Sequence, residues 1–503
     1  MGSSGKKTFL IKCDLSNIQE FIFNVKSEGA ARALKGRSFF LKLLLQVLIK
    51  DILDGVNIAE SNERQQSKIS ISGGNVFLKV STKEIQYINS LQARIDQVLR
   101  HLDLNVILAY VPYADYRSSI DELNRVCREN KYKRYTSVDD FQVMDHNKVI
   151  GKNSNDFWHN LPEFIRLNDY INIGEQTQEN DDLHFIKNGK EGESAFSILG
   201  HSVQFSTKQI DDESIKLEVF LESLMPSFRD KPKTFEDLVK FSTQGAQKLG
   251  VLAMDVDGLG AYFEEIESLE AHTKFDRRLN DFFNGSIRKV IDQNFKDNIY
   301  TVTSGGDDSY FVGKWDILLD LAQKINKAFT KDFQDQKLTI SAALILVDKK
   351  FPVVRFAELV DDDLKKAKYE YEEEKGNICL FGEVIKWSFL EDQVSKLKNE
   401  FIKTNRWNKK ELKITAGLLA KARLTAKSIS NSKGVKLSDF WKMQYYLRNR
   451  DNSRWNDLSK VREHYKKYLD ASTSSDLSLL EAKNYRLIFP IAARLAELET
   501  RKS

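Results

Sequence analysis

A pattern that occurs twice limits what this chain can fold into. In the first copy a short apolar run ends in an acid (Thr8-Phe-Leu-Ile-Lys-Cys-Asp14). Helical periodicity follows through Ile18-Gln-Glu-Phe-Ile-Phe and Phe39-Phe-Leu-Lys-Leu-Leu-Leu-Gln-Val-Leu, and two strand-like runs, 68–72 and 76–80, then flank Gly73-Gly74-Asn75. In the second copy the strand Gly250-Val-Leu-Ala-Met-Asp255-Val-Asp257 precedes a helical stretch at 276–294, and the strands around Ser304-Gly305-Gly306-Asp307-Asp308 follow. A helix at 315–332, a strand at 338–347, a helix at 356–371 and a strand at 378–381 complete it. The order β-α-α-β-β-α-β is a ferredoxin-like topology of palm type. The expected fold class is therefore α+β, with two palm domains, an intervening small domain and a C-terminal helical bundle. The first palm (1–125) has lost the acids that the second (248–389) keeps; 126–247 is a polar linking domain, and 390–503 is the helical bundle, broken at Pro490.

The acids that remain point to metal chemistry. Nucleotidyl transfer needs two divalent ions about 4 Å apart, one sharpening the attacking hydroxyl and one neutralising the triphosphate. A strand ending Asp255-Val256-Asp257 beside a hairpin tipped by Asp307-Asp308 supplies the carboxylates, and oxygen donors of this kind suit Mg²⁺ or Mn²⁺. Alternation along a strand turns Asp255 and Asp257 to one face and the Val256 side chain to the other. Asp257 has the alternative of capping the next turn, so Asp255 is the firmer ligand. Asp308 is expected to be mainly a metal ligand, with Asp307 shared between turn and site. Asp255, Asp307 and Asp308 are the candidate catalytic residues, and Asp255, Val256, Asp257, Asp307 and Asp308 the candidate metal-site residues. Ser304, Gly305 and Gly306 let a triphosphate approach the backbone closely, and Lys368 is a candidate for binding it.

Charge is distributed unevenly. Between Lys396 and Arg454 sixteen Lys or Arg face four acids, a net +12 in a chain whose total is +4. That separation indicates a polyanion contact confined to the tail. Trp441 and Tyr445, four residues apart, read as bundle core. Cys13, Cys127 and Cys379 lie far apart without a CxxC pair, which excludes a disulfide scaffold or a cysteine zinc site and favours a reducing, cytoplasmic location; no zinc is expected. Neither a signal peptide nor a membrane anchor is expected.

Taken together, Asp14-Leu-Ser-Asn-Ile-Gln-Glu-Phe-Ile-Phe, Ala33-Leu-Lys-Gly-Arg-Ser-Phe-Phe-Leu, Ser72-Gly-Gly-Asn, Leu249-Gly-Val-Leu-Ala-Met-Asp-Val-Asp-Gly-Leu-Gly, Ser304-Gly-Gly-Asp-Asp and Leu338-Thr-Ile-Ser-Ala-Ala resemble the large polymerase-like subunit of type III CRISPR effector complexes, Csm-type branch. The resemblance runs from about Phe9 to Phe381. It implies palms packed face to face over two ATP molecules, and an antiviral enzyme that makes cyclic oligoadenylate, or an AMP conjugate such as one with S-adenosylmethionine. It implies guide RNA, target RNA and other effector subunits as partners. It also implies that Asp14, Ser16, Ser72, Gly73, Gly74 and Asn75 line an acceptor-nucleotide site without holding metal. The sequence opens at the first palm and has no His-Asp dipeptide, so an intrinsic HD-type DNase is not expected. Two other readings stand beside this one: a stand-alone cyclic-dinucleotide synthase resembling diguanylate cyclases, and a non-catalytic RNA-binding scaffold.

Overall fold

The computed structural model describes residues 6–501 apart from 26–28, 100–101, 103, 134–153, 176–183, 186–193, 229–230, 241–244, 372–373, 405–409, 413–416, 418, 421–422, 425–440, 442–444, 446–462, 464, 469 and 474–476. Along the chain the first copy reads β1 (Lys7–Ser16), α1 (Ile18–Phe23), α2 (Ala30–Gly55), β2 (Lys68–Ser72), β3 (Asn75–Thr82), α3 (Tyr87–Leu99), β4 (Asn105–Pro112) and α4 (Tyr116–Lys133). A middle region gives α5 (Ser154–Leu167), β5 (Tyr170–Ile173), β6 (Ser194–Ile198) and β7 (His201–Ser206). The second copy reads β8 (Leu249–Asp257), α6 (Leu269–Asn280), α7 (Ile287–Asn294), β9 (Ile299–Gly305), β10 (Asp308–Lys314), α8 (Trp315–Asp332), β11 (Thr339–Val347), α9 (Val354–Tyr369), β12 (Asn377–Leu380) and β13 (Glu383–Lys386). The tail adds β14 (Ile402–Thr404), β15 (Lys410–Leu412) and α10 (Leu479–Thr500).

Two compact units divide this chain, each discontinuous in sequence: Met1–Thr234 with Gly258–Phe311 and Pro352–Ala357, and Phe235–Asp257 with Val312–Phe351 and Glu358–Ser503. In the first unit a four-stranded antiparallel sheet has the order β2-β3-β1-β4, the ferredoxin-like arrangement expected, with Asp14 opposite Asn75 and Ile107. Side chains of β3 alternate between buried and half-buried, as a strand with one packed face requires. Helix α2 is apolar around most of its circumference and buries nineteen of its twenty-six residues.

Polar exceptions on α2 do specific work. The Lys35 ammonium, wholly buried, donates to Thr301 O at 3.0 Å; Ser38 donates to Val302 O and Lys42 to Ser304 O. Burial drives Lys35 down to about 7, with the charge of Glu222 opposing the shift and Arg288 adding to it. Between that value and the ordinary lysine value the unfolded chain holds the extra proton, so stability rises with pH across the interval. The slope for one such group approaches about 1.4 kcal/mol per pH unit. Melting temperatures from pH 7 to pH 9 are thus expected to climb more steeply for the parent than for Lys35→Met.

The second unit is built on β8, buried along almost its whole length, as a strand covered on both faces should be. It pairs antiparallel with β11, placing Asp255 opposite Ser341 and Asp257 opposite Thr339. Strand β12 joins β11 in parallel, and β13 follows antiparallel.

Several expectations are corrected. The middle region carries a five-stranded sheet in which β5, β6 and β7 are joined by the short strands His184–Phe185 and Ile215–Lys216. Its buried residues (Ile171, Phe196, Ile198, Val203, Phe205) sit on strands too short to stand out from polar surroundings. The tail is not purely helical, since β14 and β15 pair as a small hairpin. Pro490 does not break a helix: α10 runs through it, and the packing of Leu487, Ile488, Phe489 and Ile491, each at most 3% exposed, offsets the lost hydrogen bond. Trp441 and Tyr445 are 63% and 52% exposed rather than core. Most of the basic stretch 396–454 lies outside the described residues. Cys13, Cys127 and Cys379 are free and buried. Among the described residues, no helix is long and apolar enough to cross a membrane.

Candidate functional site

In the first unit two glycine turns face each other. Gly73 and Gly74 connect β2 to β3 with φ of 56° and 79°, and Gly305 and Gly306 enter the turn before β10 with φ of 134° and 79°. These left-handed values are ones that side chains other than glycine rarely adopt. The tips nearly touch: a Cβ built on Gly73 would stand 3.5 Å from Asp307 Oδ1 and 3.6 Å from Gly306 Cα. Beside them opens a cavity of about 280 Å³ lined by Ser16, Lys42, Gly73, Gly74, Gly305 and Asp308, among others. Asp307 lies in the turn and Asp308 begins β10; both are half-buried. Three of the expected acceptor residues, Ser16, Gly73 and Gly74, thus share a cavity with Gly305 and Asp308.

Other expected residues are placed differently. Ser304 is fully buried and acts through its backbone, its N–H donating to Glu222 Oε1 at 2.6 Å and its carbonyl accepting from Lys42 at 2.8 Å. Asn75 Nδ2 donates to Gly73 O at 3.4 Å, within its own turn. The side chain of Ser72 lies outside the described residues. Asp14 turns to another, larger cavity of about 610 Å³, shared with Lys12, Tyr116, Arg128 and Lys131. There its Oδ1 sits 2.8 Å from Lys131 Nζ and accepts from Ser16 Oγ at 3.1 Å.

In the second unit the Asp255 carboxylate is hydrogen-bonded and ion-paired with Lys368 of α9. Burial lowers the Lys368 ammonium, but the hydrogen bond and charge of Asp255 outweigh it and leave a net upward shift. Asp257 caps structure rather than the turn that follows it. Its Oδ2 accepts from Thr339 Oγ1 and Ser341 Oγ, each at 2.8 Å, and from the Gly376 N–H at 3.1 Å. Its Oδ1 is buried with no hydrogen-bond partner among the described residues. Val256 is buried, turned away from both acids. Lys368 supplies the cation at Asp255, and Asp257 keeps one unmatched oxygen, a hard donor of the kind a divalent ion takes. Among the described residues, no three His, Cys, Asp or Glu side chains are gathered closely enough to bind one.

Sequence reasoning missed Lys42, Glu222 and Lys131. A signal for Lys131 was present: Asp14 and Lys131 are 117 residues apart, Asp255 and Lys368 are 113 apart, and each lysine lies on the helix after the corresponding strand. The repeat therefore carries an Asp–Lys pair in both copies. Glu222 lies in the middle region and left no trace in either copy.

Residues 248–379 match the family model of the second palm domain of Cas10/Cmr2, and residues 7–148 match that of domain B of the Csm1 subunit. The chain belongs to the Cas10/Csm1 family. Curated relatives named "CRISPR system single-strand-specific deoxyribonuclease Cas10/Csm1 (subtype III-A)" come from Enterococcus italicus and Methanocaldococcus jannaschii, each 25% identical. The first matches 77% of this chain and 56% of its own length, the second 75% and 59%. The chain thus spans little more than half the length of these Cas10/Csm1 relatives. Among solved structures, a Csm1-Csm4 cassette in complex with cA4 matches with a TM-score of 0.70 and 18% identity, covering 97% of this chain and 70% of that one. A cassette in complex with one ATP matches with the same TM-score and identity, covering 99% and 70%. At that identity the likeness establishes the fold.

Proposed function

We propose that this chain is the nucleotidyltransferase of a type III CRISPR complex, converting ATP to a cyclic oligoadenylate or an AMP conjugate such as one with S-adenosylmethionine. The observation that carries the reading is the pair of opposed glycine turns over one cavity, the second followed at once by Asp307 and Asp308. Names of related structures support it, since Csm1-Csm4 cassettes were solved with ATP and with cA4.

In this reading Asp255, Asp307 and Asp308, with Asp257 nearby in sequence, hold Mg²⁺ or Mn²⁺. Such ions supply neutralisation of the triphosphate and a lowered pKa for the attacking hydroxyl. The chain's own groups do the rest. Gly305 and Gly306 let phosphate oxygens reach the backbone, as Gly73 and Gly74 do for the acceptor nucleotide. Ser16 and Lys42 offer a hydroxyl and an ammonium to it. Lys368, paired with Asp255, is the ammonium assigned to neutralise a phosphate; Lys368→Met is expected to raise KM for ATP about 10-fold or more, the size of a lost charge-assisted hydrogen bond. Steady-state kinetics over an ATP series checks this. Guide RNA, target RNA and partner subunits such as a Csm4-type protein complete the proposed assembly, in the cytoplasm.

The deciding experiment assembles the chain with guide RNA and partner subunits and supplies labelled ATP with Mg²⁺ or Mn²⁺, with and without target RNA and S-adenosylmethionine. Mass analysis is expected to find an adenylate product that requires target RNA. A guanine-specific product, or none, would overturn the proposal.

A further inference from the structure

The carbonyl and the N–H of one residue, Ser304, are each met by one member of an ion pair. Glu222 Oε1 accepts from Ser304 N–H at 2.6 Å and lies 3.2 Å from Lys42 Nζ, which donates to Ser304 O at 2.8 Å. The pair satisfies the peptide groups of Ser304 much as a neighbouring strand would. Ser304 is the residue before Gly305, where the backbone swings to φ 134° and enters the turn that carries Asp307 and Asp308.

Glu222 is fully buried, and a buried carboxylate is costly unless paired and hydrogen-bonded, so its placement needs strong support. The segment around it supplies that support. Arg288 Nη2 donates to Phe220 O and to Ser223 Oγ, both at 2.7 Å, and Phe220 packs edge-on against Phe39 of α2 at 5.9 Å. Residues 220–223 are thereby pinned to α7 on one side and to α2 on the other. A buried carboxylate that meets both the Ser304 N–H and the ammonium holding the Ser304 carbonyl, and is reached through the middle region, is poorly explained by packing alone.

We propose that Glu222 is a positioning residue for the proposed nucleotidyl transfer: acting through Ser304 N–H and Lys42, it fixes the backbone that presents Asp307 and Asp308. The proposal rests on the functional reading above, and it deepens that reading by making the catalytic turn answer to the middle region. Displacing reacting groups by about 1 Å costs rate by as much as 100-fold while leaving ground-state binding nearly intact.

The test compares Glu222→Ala and Glu222→Gln with the parent in the assembled, RNA-bound complex. Glu222→Ala is expected to lower kcat for ATP consumption by about 10- to 100-fold and to change KM for ATP by less than about threefold. Glu222→Gln, which keeps an acceptor for Ser304 N–H, is expected to recover most of the loss. If Glu222→Ala does not fold, Glu222→Asp, one methylene short, is read in its place with the same expectation. Hydrogen exchange without ATP supplies an independent readout: peptides covering 299–314 should exchange faster in the alanine variant, with peptides from β1 to β4 unchanged. Unchanged kcat, a change confined to KM, equal loss in Ala and Gln variants, or unaltered exchange at 299–314 would each overturn the proposal. A parent complex that makes no product would instead sink the functional reading, and the exchange result alone would then decide whether Glu222 holds the turn.

Discussion

Replacing Asp307 and Asp308 together by alanine is expected to reduce ATP-derived product by about 1,000-fold or more, the several kcal/mol that metal-assisted charge stabilisation supplies. Stability should barely move. Both residues are half-buried at a hairpin turn, outside the packed core, so truncating them leaves little cavity. Product analysis by mass, run beside a thermal melt, separates the two effects. Residual activity within about tenfold of the parent would remove the carboxylates from the mechanism.

Asp257→Ala should act in the opposite manner, with a loss of about 2–4 kcal/mol of stability in the second unit. Asp257 is 3% exposed, and its Oδ2 accepts three hydrogen bonds, from Thr339, Ser341 and the Gly376 amide. Alanine leaves the buried Ser341 hydroxyl without its acceptor, and removes the partner of the Gly376 amide and of the exposed Thr339 hydroxyl. Asp257→Asn keeps one acceptor oxygen and should cost less. Denaturant unfolding followed by a probe in the second unit measures the difference; an unchanged midpoint for the alanine variant would show that the cap contributes nothing.

The palm elements were legible because their apolar periods are long and their turns are built from glycine. Helix α8 was expected at 315–332 and is found at Trp315–Asp332, while β2 and β3 meet at the expected Gly73-Gly74 turn. Most of what was missed depends on three-dimensional closure. The middle sheet assembles from strands of two to six residues, each too short for a recognisable alternation. Pro490 reads as a stop on local grounds, yet tertiary packing overrides it. At the candidate site, Asp255, Asp307 and Asp308 stood out as acids in unusual places, whereas Lys42 looked like one more lysine on a helix. Its role comes from a contact with Ser304, 262 residues away in sequence. Glu222 was invisible for the same reason, having no counterpart in the repeat and no motif of its own.

The side chains that α2 lays along β9 have a consequence for how such chains associate. Strand β9 ends its sheet, with β10 as its strand neighbour. A bare terminal strand beside a glycine-rich turn offers an unpaired row of carbonyls and amides to any extended peptide, the usual beginning of edge-to-edge aggregation. Here Ser38 and Lys42 take the carbonyls of Val302 and Ser304, and Glu222 takes the Ser304 amide. Those groups are capped from within the same chain, which leaves fewer rungs on that stretch for a foreign strand to extend.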